Sequence, residues 1–219
     1  LGGDTTRTAK VGDIHAPVTI SITAMGELPQ SMGLTRAGAR PGDDIWVSGC
    51  VGGAWAALMH RWGKLTLDAR VFPSAALAMD RPNPRNALGT ALLSSATACA
   101  DISDGLAQDL GHILERSGVD ADVLWDAVPK HPALAALSQE QQVEAAMSGG
   151  DDYELVFTAP ADKRGLIEQA SISALTPVTR IGRIIEKKQS GAPLAIRDAS
   201  GRPLFLPVQG FDHFAQGAD

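Results

Sequence analysis

The stretch ADISDGLAQDLGHIL, Ala100–Leu114, joins a segment of small apolar residues to the most regular helical pattern in the chain. The apolar residues of its second half recur with helical spacing and predict one buried stripe. These residues are Leu106, Leu110, Ile113 and Leu114. Gly118 is typical of a helix end, because glycine readily adopts the left-handed conformation that closes a helix. The pattern therefore predicts that a buried segment turns into an amphipathic helix at this point.

Two aspartates, Asp101 and Asp104, lie in the loop before this helix. Ser103 or Asp104 is the predicted N-cap, since a side-chain oxygen there can accept a hydrogen bond from the first turn. A helix N-terminus stabilises negative charge, so both carboxylates should stay ionised and suit a divalent cation. The alternative is a plain capping pair that binds no ligand, and this loop alone does not decide between the two.

Length and charge limit the possible functions. The 219 residues suffice for one large or two small domains, and the 44% of hydrophobic residues can form a sizeable core. The net charge of −6 disfavours a nucleic-acid surface, which needs clustered lysine and arginine. No apolar run is long enough to span a membrane. We therefore expect neither nucleic acid nor a membrane as a partner.

The cysteines indicate the compartment. Cys50 and Cys99 both lie in small apolar runs, and their spacing fits neither a metal pair nor a disulfide framework. A reducing environment, the cytoplasm, is the predicted location.

Strand-like and helix-like segments alternate along the chain, which predicts a mixed α/β fold. The predicted strands are 18–25, 45–48, 96–100, 121–125, 153–158 and 178–185, with a hairpin of 194–197 and 203–206. The predicted helices are 54–62, 87–94, 140–147 and 162–171, and the prolines of 72–85 predict turns and short helices there. Residues 34–44 combine glycine, proline and charge and are interpreted as the connector between two lobes.

Three loops combine glycine with acidic residues. They are GGDTT at 2–6, DISDG at 101–105 and GGDDY at 149–153. Glycine lets backbone N–H groups approach an anion closely, and aspartate supplies the oxygen ligands that Mg²⁺ prefers. Together the loops predict a site for Mg²⁺ and phosphate, although each alone is ordinary turn chemistry. The sequence contains no P-loop, nucleophile elbow or H-E-x-x-H helix, and His112 is expected to pack or cap.

Five motifs follow one another in an order that resembles the thiamine-monophosphate kinases. They are GGDTTR, LTRAGARPGD, ADISDGLAQDLGHIL, SGGDDYELVFT and GFDHF. This family belongs to a larger group that includes aminoimidazole ribonucleotide synthetase. The resemblance implies a two-lobe α/β (α+β) fold like that synthetase. Residues 1–34 would be strands of an N-terminal ATP- and magnesium-binding lobe, and residues 35–219 a mixed α/β C-terminal domain.

The resemblance also implies an activity. The family transfers the γ-phosphoryl group of ATP to thiamine phosphate and so makes thiamine diphosphate, with Mg²⁺ and in many members K⁺. A homodimer is the expected assembly. Because the acceptor is already a phosphate anion, no side-chain base is expected, and catalysis would rest on positioning and charge neutralisation.

The family pattern assigns roles to residues that match its motifs. The implied metal ligands are Asp4, Asp101 and Asp104. The implied ATP-binding residues are Gly3, Asp4, Arg36 and Ser103. The implied substrate-binding residues are Asp151 and Phe211. For Arg36, a solvated linker charge is the alternative.

Two other interpretations of the chain stay open. The family's front lobe carries further aspartates, a Ser-Thr-Asp loop and a histidine that this sequence does not contain. We therefore expect this polypeptide, which starts at Leu1 inside a Gly-Asp motif, to be inactive by itself. It could then be a non-catalytic α/β binding module. A second alternative is another ATP-dependent member of the same group.

Overall fold

The computed structural model describes residues 33–204 and, before them, residues 10–11, 14–15, 22–23 and 25. The chain divides into two units, Leu1–Ser31 and Met32–Asp219. In the first unit, strand β1 (Lys10–Val11) pairs antiparallel with β2 (Ile14–His15).

The strand predicted at 18–25 is not found at its described residues, Ile22, Thr23 and Met25. Its alternating pattern requires one covered face. Ile22, on the face that the pattern predicts to be covered, is exposed instead, so that part of the prediction is wrong.

A six-stranded sheet with the order β4-β6-β3-β7-β5-β8 forms the centre of the second unit. Its strands are β3 (Asp44–Ser48), β4 (Ala98–Asp101), β5 (Asp120–Leu124), β6 (Leu155–Ala159), β7 (Val178–Ile185) and β8 (Leu194–Arg197). The β5–β8 pair is parallel and the other pairs are antiparallel. After β8, the N–H of Leu204 donates to the carbonyl of Ile196. This is the pairing that the predicted hairpin requires, as far as the described residues extend. The sheet confirms the predicted mixed α/β class.

Six α-helices accompany this sheet within the described residues. They are α1 (Gly53–Arg61), α2 (Phe72–Asp80), α3 (Asn86–Ala91), α4 (Leu106–Ser117), α5 (Gln139–Val143) and α6 (Arg164–Ser173). The helix predicted at 140–147 is divided, because α5 continues as a π-helical turn, Glu144–Ser148. Helix α2 is longer than the prolines suggested, since Pro73 stands in its first turn, where no N–H is needed.

The core lies on both faces of the sheet, because neighbouring residues of β3 point to opposite sides. Ile45 and Val47 pack with α1 and α4, whereas Trp46 packs with Phe157 and with residues of α3 and α6. The predicted stripe of α4 is fully buried, and each of its leucines stabilises the fold by about 1.5–3 kcal/mol. Gly118 ends α4 in the left-handed conformation, as predicted. Burial of α4 thus fixes the loop between β4 and α4 at one end of the sheet.

Within the described residues, none of the helices has both the length and the apolar character that crossing a membrane would require.

Candidate functional site

The loop 101–105 connects the end of β4 to the start of α4, as the sequence predicted. The predicted N-cap is wrong, however. Gly105 precedes the helix with φ 115°, and no side chain caps the first turn. The carboxylate of Asp109 reaches back from inside the helix, and its Oδ2 accepts the N–H groups of Ser103 and Asp104 at 3.0 Å each. The loop is therefore held by an acid that follows it.

The two predicted metal ligands of this loop are accessible to solvent. Asp101 is exposed, Asp104 is partly exposed, and Asp104 Oδ2 accepts a hydrogen bond from Gln108 at 3.1 Å. Within residues 33–204, no lysine or arginine forms an ion pair with either carboxylate. Oxygen donors whose charge no described side chain balances suit a hard divalent cation.

A second predicted loop, 149–153, lies directly against the first. Asp151 donates its N–H to the carbonyl of Ser103, and Tyr153 donates its N–H to the carbonyl of Ile102, both at 2.8 Å. Gly150 has φ 65°, and a Cβ there would lie 2.5 Å from the Ser103 carbonyl oxygen. The close approach therefore requires glycine, and it brings Asp151 beside the aspartate loop.

Two residues of loop 149–153 adopt a left-handed backbone without being glycine. Asp151 has φ 59° and Tyr153 has φ 50°. Such conformations cost free energy and recur at functional sites. The Tyr153 hydroxyl donates to Asp151 Oδ1 at 3.1 Å, and both residues are exposed. Asp151, the predicted substrate contact, thus has a carboxylate that Tyr153 orients, next to the accessible ring of Tyr153.

Asp152, which lies in the predicted acidic loop but had no predicted role of its own, turns its carboxylate inward to the start of α1. Both of its oxygens accept the N–H of Gly52 at 2.9 Å. Burial raises the pKa of Asp152 to about 7, against the opposing effect of the backbone N–H donors. The N-terminal end of α1 is thereby tied to loop 149–153.

Glu154 anchors the same loop from the other side. Its carboxylate is buried and receives hydrogen bonds from Arg85, with Nε at 2.7 Å from Oε2, and from the hydroxyl of Ser48. That hydroxyl also accepts the N–H of Leu155 at 2.8 Å. This network joins the residue that precedes α3 to β3 and β6 behind the loop.

A cluster of possible metal ligands extends from the loop onto α4. Asp104, Asp109 and His112 each place one ligand atom within 4.8 Å of the others. Burial raises the pKa of Asp109, the two loop N–H groups lower it, and the charges of Asp104 and Asp101 raise it further. His112 was expected only to pack or cap. The sequence did hold a signal for Asp109, because helical spacing places this acid next to Leu106 and Ile113, on the apolar side of the helix.

Some predicted site residues are not brought to this place by any described contact. Arg36 is exposed, and its carbonyl accepts a weak hydrogen bond from Ser117 at 3.4 Å, at the C-terminal end of α4. That end is about 17 Å from the loop, given the rise of an α-helix. Gly3, Asp4 and Phe211 lie outside the described residues. Their predicted roles remain predictions.

Residues 40–194 match the model of a protein family described as AIR synthase related protein, C-terminal domain. The chain is also similar to the thiamine-monophosphate kinase of Salmonella typhimurium, with 38% identity over 98% of this chain and 63% of that protein. The corresponding kinase of Haemophilus influenzae gives the same identity over 99% of this chain. The chain therefore spans about 63% of the length of these relatives. The resemblance predicted from the motifs is confirmed.

Solved structures show the same likeness. The crystal structure of the thiamine-monophosphate kinase from Stenotrophomonas maltophilia K279a matches with a TM-score of 0.71 and 40% identity, over 77% of this chain and 54% of that one. A structure of AaThiL complexed with AMPPCP and TMP matches with a TM-score of 0.65 and 27% identity, over 83% of this chain and 54% of that one. The predicted synthetase-like C-terminal fold is thereby confirmed.

Proposed function

The chain belongs to the AIR synthase related family, whose C-terminal domain it carries at residues 40–194. We propose that it forms part of an ATP-dependent thiamine-phosphate kinase. The reaction would transfer the γ-phosphoryl group of ATP to the phosphate of thiamine phosphate, in thiamine diphosphate biosynthesis. Its similarity to kinases of that name supports the activity. The relative complexed with AMPPCP and TMP supports the two substrates.

The observation that carries this proposal is the direct hydrogen bonding of loop 149–153 to loop 101–105. It places Asp151, the proposed contact to the thiamine moiety, beside Asp101 and Asp104, the proposed metal ligands. A phosphoryl transfer between two anionic substrates needs this arrangement, with positive charge between the phosphates and a separate contact for the acceptor.

The aspartate loop fits Mg²⁺, since its carboxylates supply hard oxygen ligands and have no described cation beside them. Asp101 and Asp104 would hold the ion, and Ser103 would contact the nucleotide. Mg²⁺, when bound, would neutralise charge on the transferring phosphoryl group. The residues outside this loop with proposed roles are Gly3, Asp4 and Arg36 for ATP, Asp4 also for metal, and Phe211 for substrate.

No side chain needs to remove a proton in this reaction, because the attacking group is already a phosphate oxygen anion. This agrees with a described site that is rich in aspartate. A requirement for K⁺, a homodimer, a cytoplasmic location and a lobe boundary near residue 34 also belong to the proposal. Cys50 and Cys99 are both free thiols, which agrees with the proposed location.

The proposal is tested by a coupled assay for thiamine diphosphate and ADP, with the protein expressed from its complete reading frame. We expect turnover that depends on Mg²⁺ and on thiamine phosphate, with thiamine itself inactive as acceptor. Asp101→Asn and Asp104→Asn should each lower kcat/KM by about 100-fold or more, since each removes a metal ligand.

Asp162→Asn is the matched control, because Asp162 is an exposed acid that precedes α6. It should retain wild-type kinetics. Wild-type rates in both loop variants would contradict the metal site, and no turnover by the wild type would contradict the activity.

A further inference from the structure

We propose that Asp109 is a positioning residue that clamps the Ser103–Asp104 peptide and thereby holds the metal-binding and substrate-binding loops in one arrangement. This inference rests on the proposed function for the roles of the two loops. Asp109 itself was not among the residues that the motifs assigned. It lies one turn inside α4 and does not need to touch either substrate.

The clamp acts on a single peptide plane. The N–H of Asp104 and the carbonyl of Ser103 belong to the same rigid peptide unit and point in opposite directions. Asp109 Oδ2 accepts the N–H at 3.0 Å, and on the other edge the carbonyl accepts the N–H of Asp151 at 2.8 Å. A rotation of this plane would break both hydrogen bonds at once and would move the Asp104 side chain.

The carboxylate of Asp109 is suited to this role because packing inside the protein restricts its side chain. The residue is 1% exposed, and it stands between buried residues of the α4 stripe. Its Oδ2 accepts a second N–H, from Ser103 at 3.0 Å, so two consecutive loop amides converge on one oxygen. A helix whose apolar stripe is fully buried therefore sets the loop conformation.

A direct ligand role is the competing explanation, since Asp109 clusters with Asp104 and His112. The two explanations differ in what the side chain must supply. Positioning needs one oxygen acceptor, which an asparagine amide retains with the same shape. Metal ligation is strengthened by the negative charge, so asparagine would weaken it, and it would also involve the imidazole of His112.

The experiment compares Asp109→Asn with Asp109→Ala by amide hydrogen exchange, in the wild-type chain and both variants. We expect exchange at Ser103, Asp104 and Asp151 to rise about tenfold or more in the alanine variant and to stay within about threefold of wild type in the asparagine variant. Val156, in the centre of β6, reports whether the fold is intact.

Asp120→Ala is the matched control. Asp120 is also a buried acid that accepts a backbone N–H, from Lys188 at 2.9 Å, but it lies on β5. It should leave the exchange of the three site amides unchanged. Equal exchange at those amides in Asp109→Ala and wild type would overturn the clamp.

The second measurement is the Mg²⁺ dependence of ATP binding, by calorimetry with the protein from its complete reading frame. Apparent Mg²⁺ affinity should fall about tenfold or more in Asp109→Ala and recover to within about twofold in Asp109→Asn. If Asp109→Asn and His112→Ala both weaken Mg²⁺ as much as Asp109→Ala does, the positioning role is wrong and ligation is supported. If the wild type binds no ATP with Mg²⁺, the proposed function fails, and the exchange data still decide on the clamp.

Discussion

Buried and half-buried acids are stabilised differently at the centre of the sheet and at the loop junction. Asp44, on β3, is paired with Arg164, whose Nε lies 2.6 Å from Oδ2, and with Arg180 at 3.2 Å. Asp109 and Asp152, at the junction, accept backbone N–H groups instead, and no described arginine or lysine forms an ion pair with them. The first arrangement balances the negative charge with two guanidinium groups, whereas the second supplies only neutral N–H donors.

The pKa values follow this difference. Burial alone would raise the pKa of Asp44, but the hydrogen bonds from Arg164 and Arg180 hold it below its usual range. Burial is the main cause that raises the pKa of Asp109 and Asp152, and the backbone donors do not overcome it. The charges of Asp104 and Asp101 add to the raised pKa of Asp109, and a bound cation would reduce that repulsion. The comparison therefore separates acids that hold the sheet together from acids that shape the proposed binding site.

The largest expected effect concerns Arg85, because an acid paired with an arginine, as at the centre of the sheet, also occurs beside the loop junction. Arg85 pairs with the buried Glu154 directly behind loop 149–153, and their side chains are 17% and 8% exposed. Arg85→Met should lower the free energy of unfolding by about 3–5 kcal/mol, because it leaves a buried carboxylate without its partner. Urea denaturation measures this change.

Arg164→Met is the matched control for Arg85→Met. Arg164 is 46% exposed, and Asp44 would keep Arg180 as a partner. The cost should therefore be clearly smaller than for Arg85. Equal losses of unfolding free energy in the two variants would mean that Glu154 depends on its arginine no more than Asp44 does. The distinction between the two regions would then be wrong.

The next effect is a pH dependence of opposite sign in the two regions. The pKa of Asp152 is raised to about 7, so the native state keeps a proton that the unfolded chain releases near pH 4. Its contribution to stability is fully present below pH 4 and is lost as the pH rises to about 7, by at most about 4 kcal/mol. The unfolding free energy of wild type relative to Asp152→Asn should fall across this interval.

Asp44 should behave in the reverse manner. Because its pKa is lowered, its contribution is present above the unfolded value of 3.8 and is lost as the pH falls through the lower folded value. The difference in unfolding free energy between wild type and Asp44→Asn should therefore shrink in acid.

For Asp152→Asn, a difference in unfolding free energy from wild type that does not change with pH would show that the Asp152 carboxylate is not desolvated as described.

The sequence predicted the parts of this molecule that depend on local periodicity. The apolar stripe of α4 and the bounds of β7 were predicted closely, since each follows from spacing along one element. The predicted N-cap at Ser103 or Asp104 was wrong, because the N–H groups of both residues donate to the carboxylate of Asp109 instead. Residue propensities for the N-cap position do not predict such a contact from inside the helix.

The tertiary part of the candidate site could not be predicted in this way. Nothing in the residues around Arg85 shows that it pairs with Glu154, 69 positions later. The motif at 149–153 indicated an acidic loop, but its contact with Ser103 arises only when β4 and β6 become neighbours. Motifs identified which loops matter, and sheet topology determined which of them meet.

The smallest expected effect tests whether the junction needs the close approach of its two loops. Gly150 and Gly118 have nearly the same left-handed conformation, with φ 65° and 68°, but only Gly150 is crowded. An alanine at Gly118 would meet nothing within 4 Å, so Gly118→Ala should cost only the backbone term of about 1 kcal/mol. Gly150→Ala should cost about 2 kcal/mol more, because its Cβ would push against the Ser103 carbonyl. Thermal unfolding of both variants measures the excess, and equal costs would mean that the loops can separate without loss. In that case the junction would be held by its outer anchors, Asp152 and Glu154, and not by the peptide between the two aspartates.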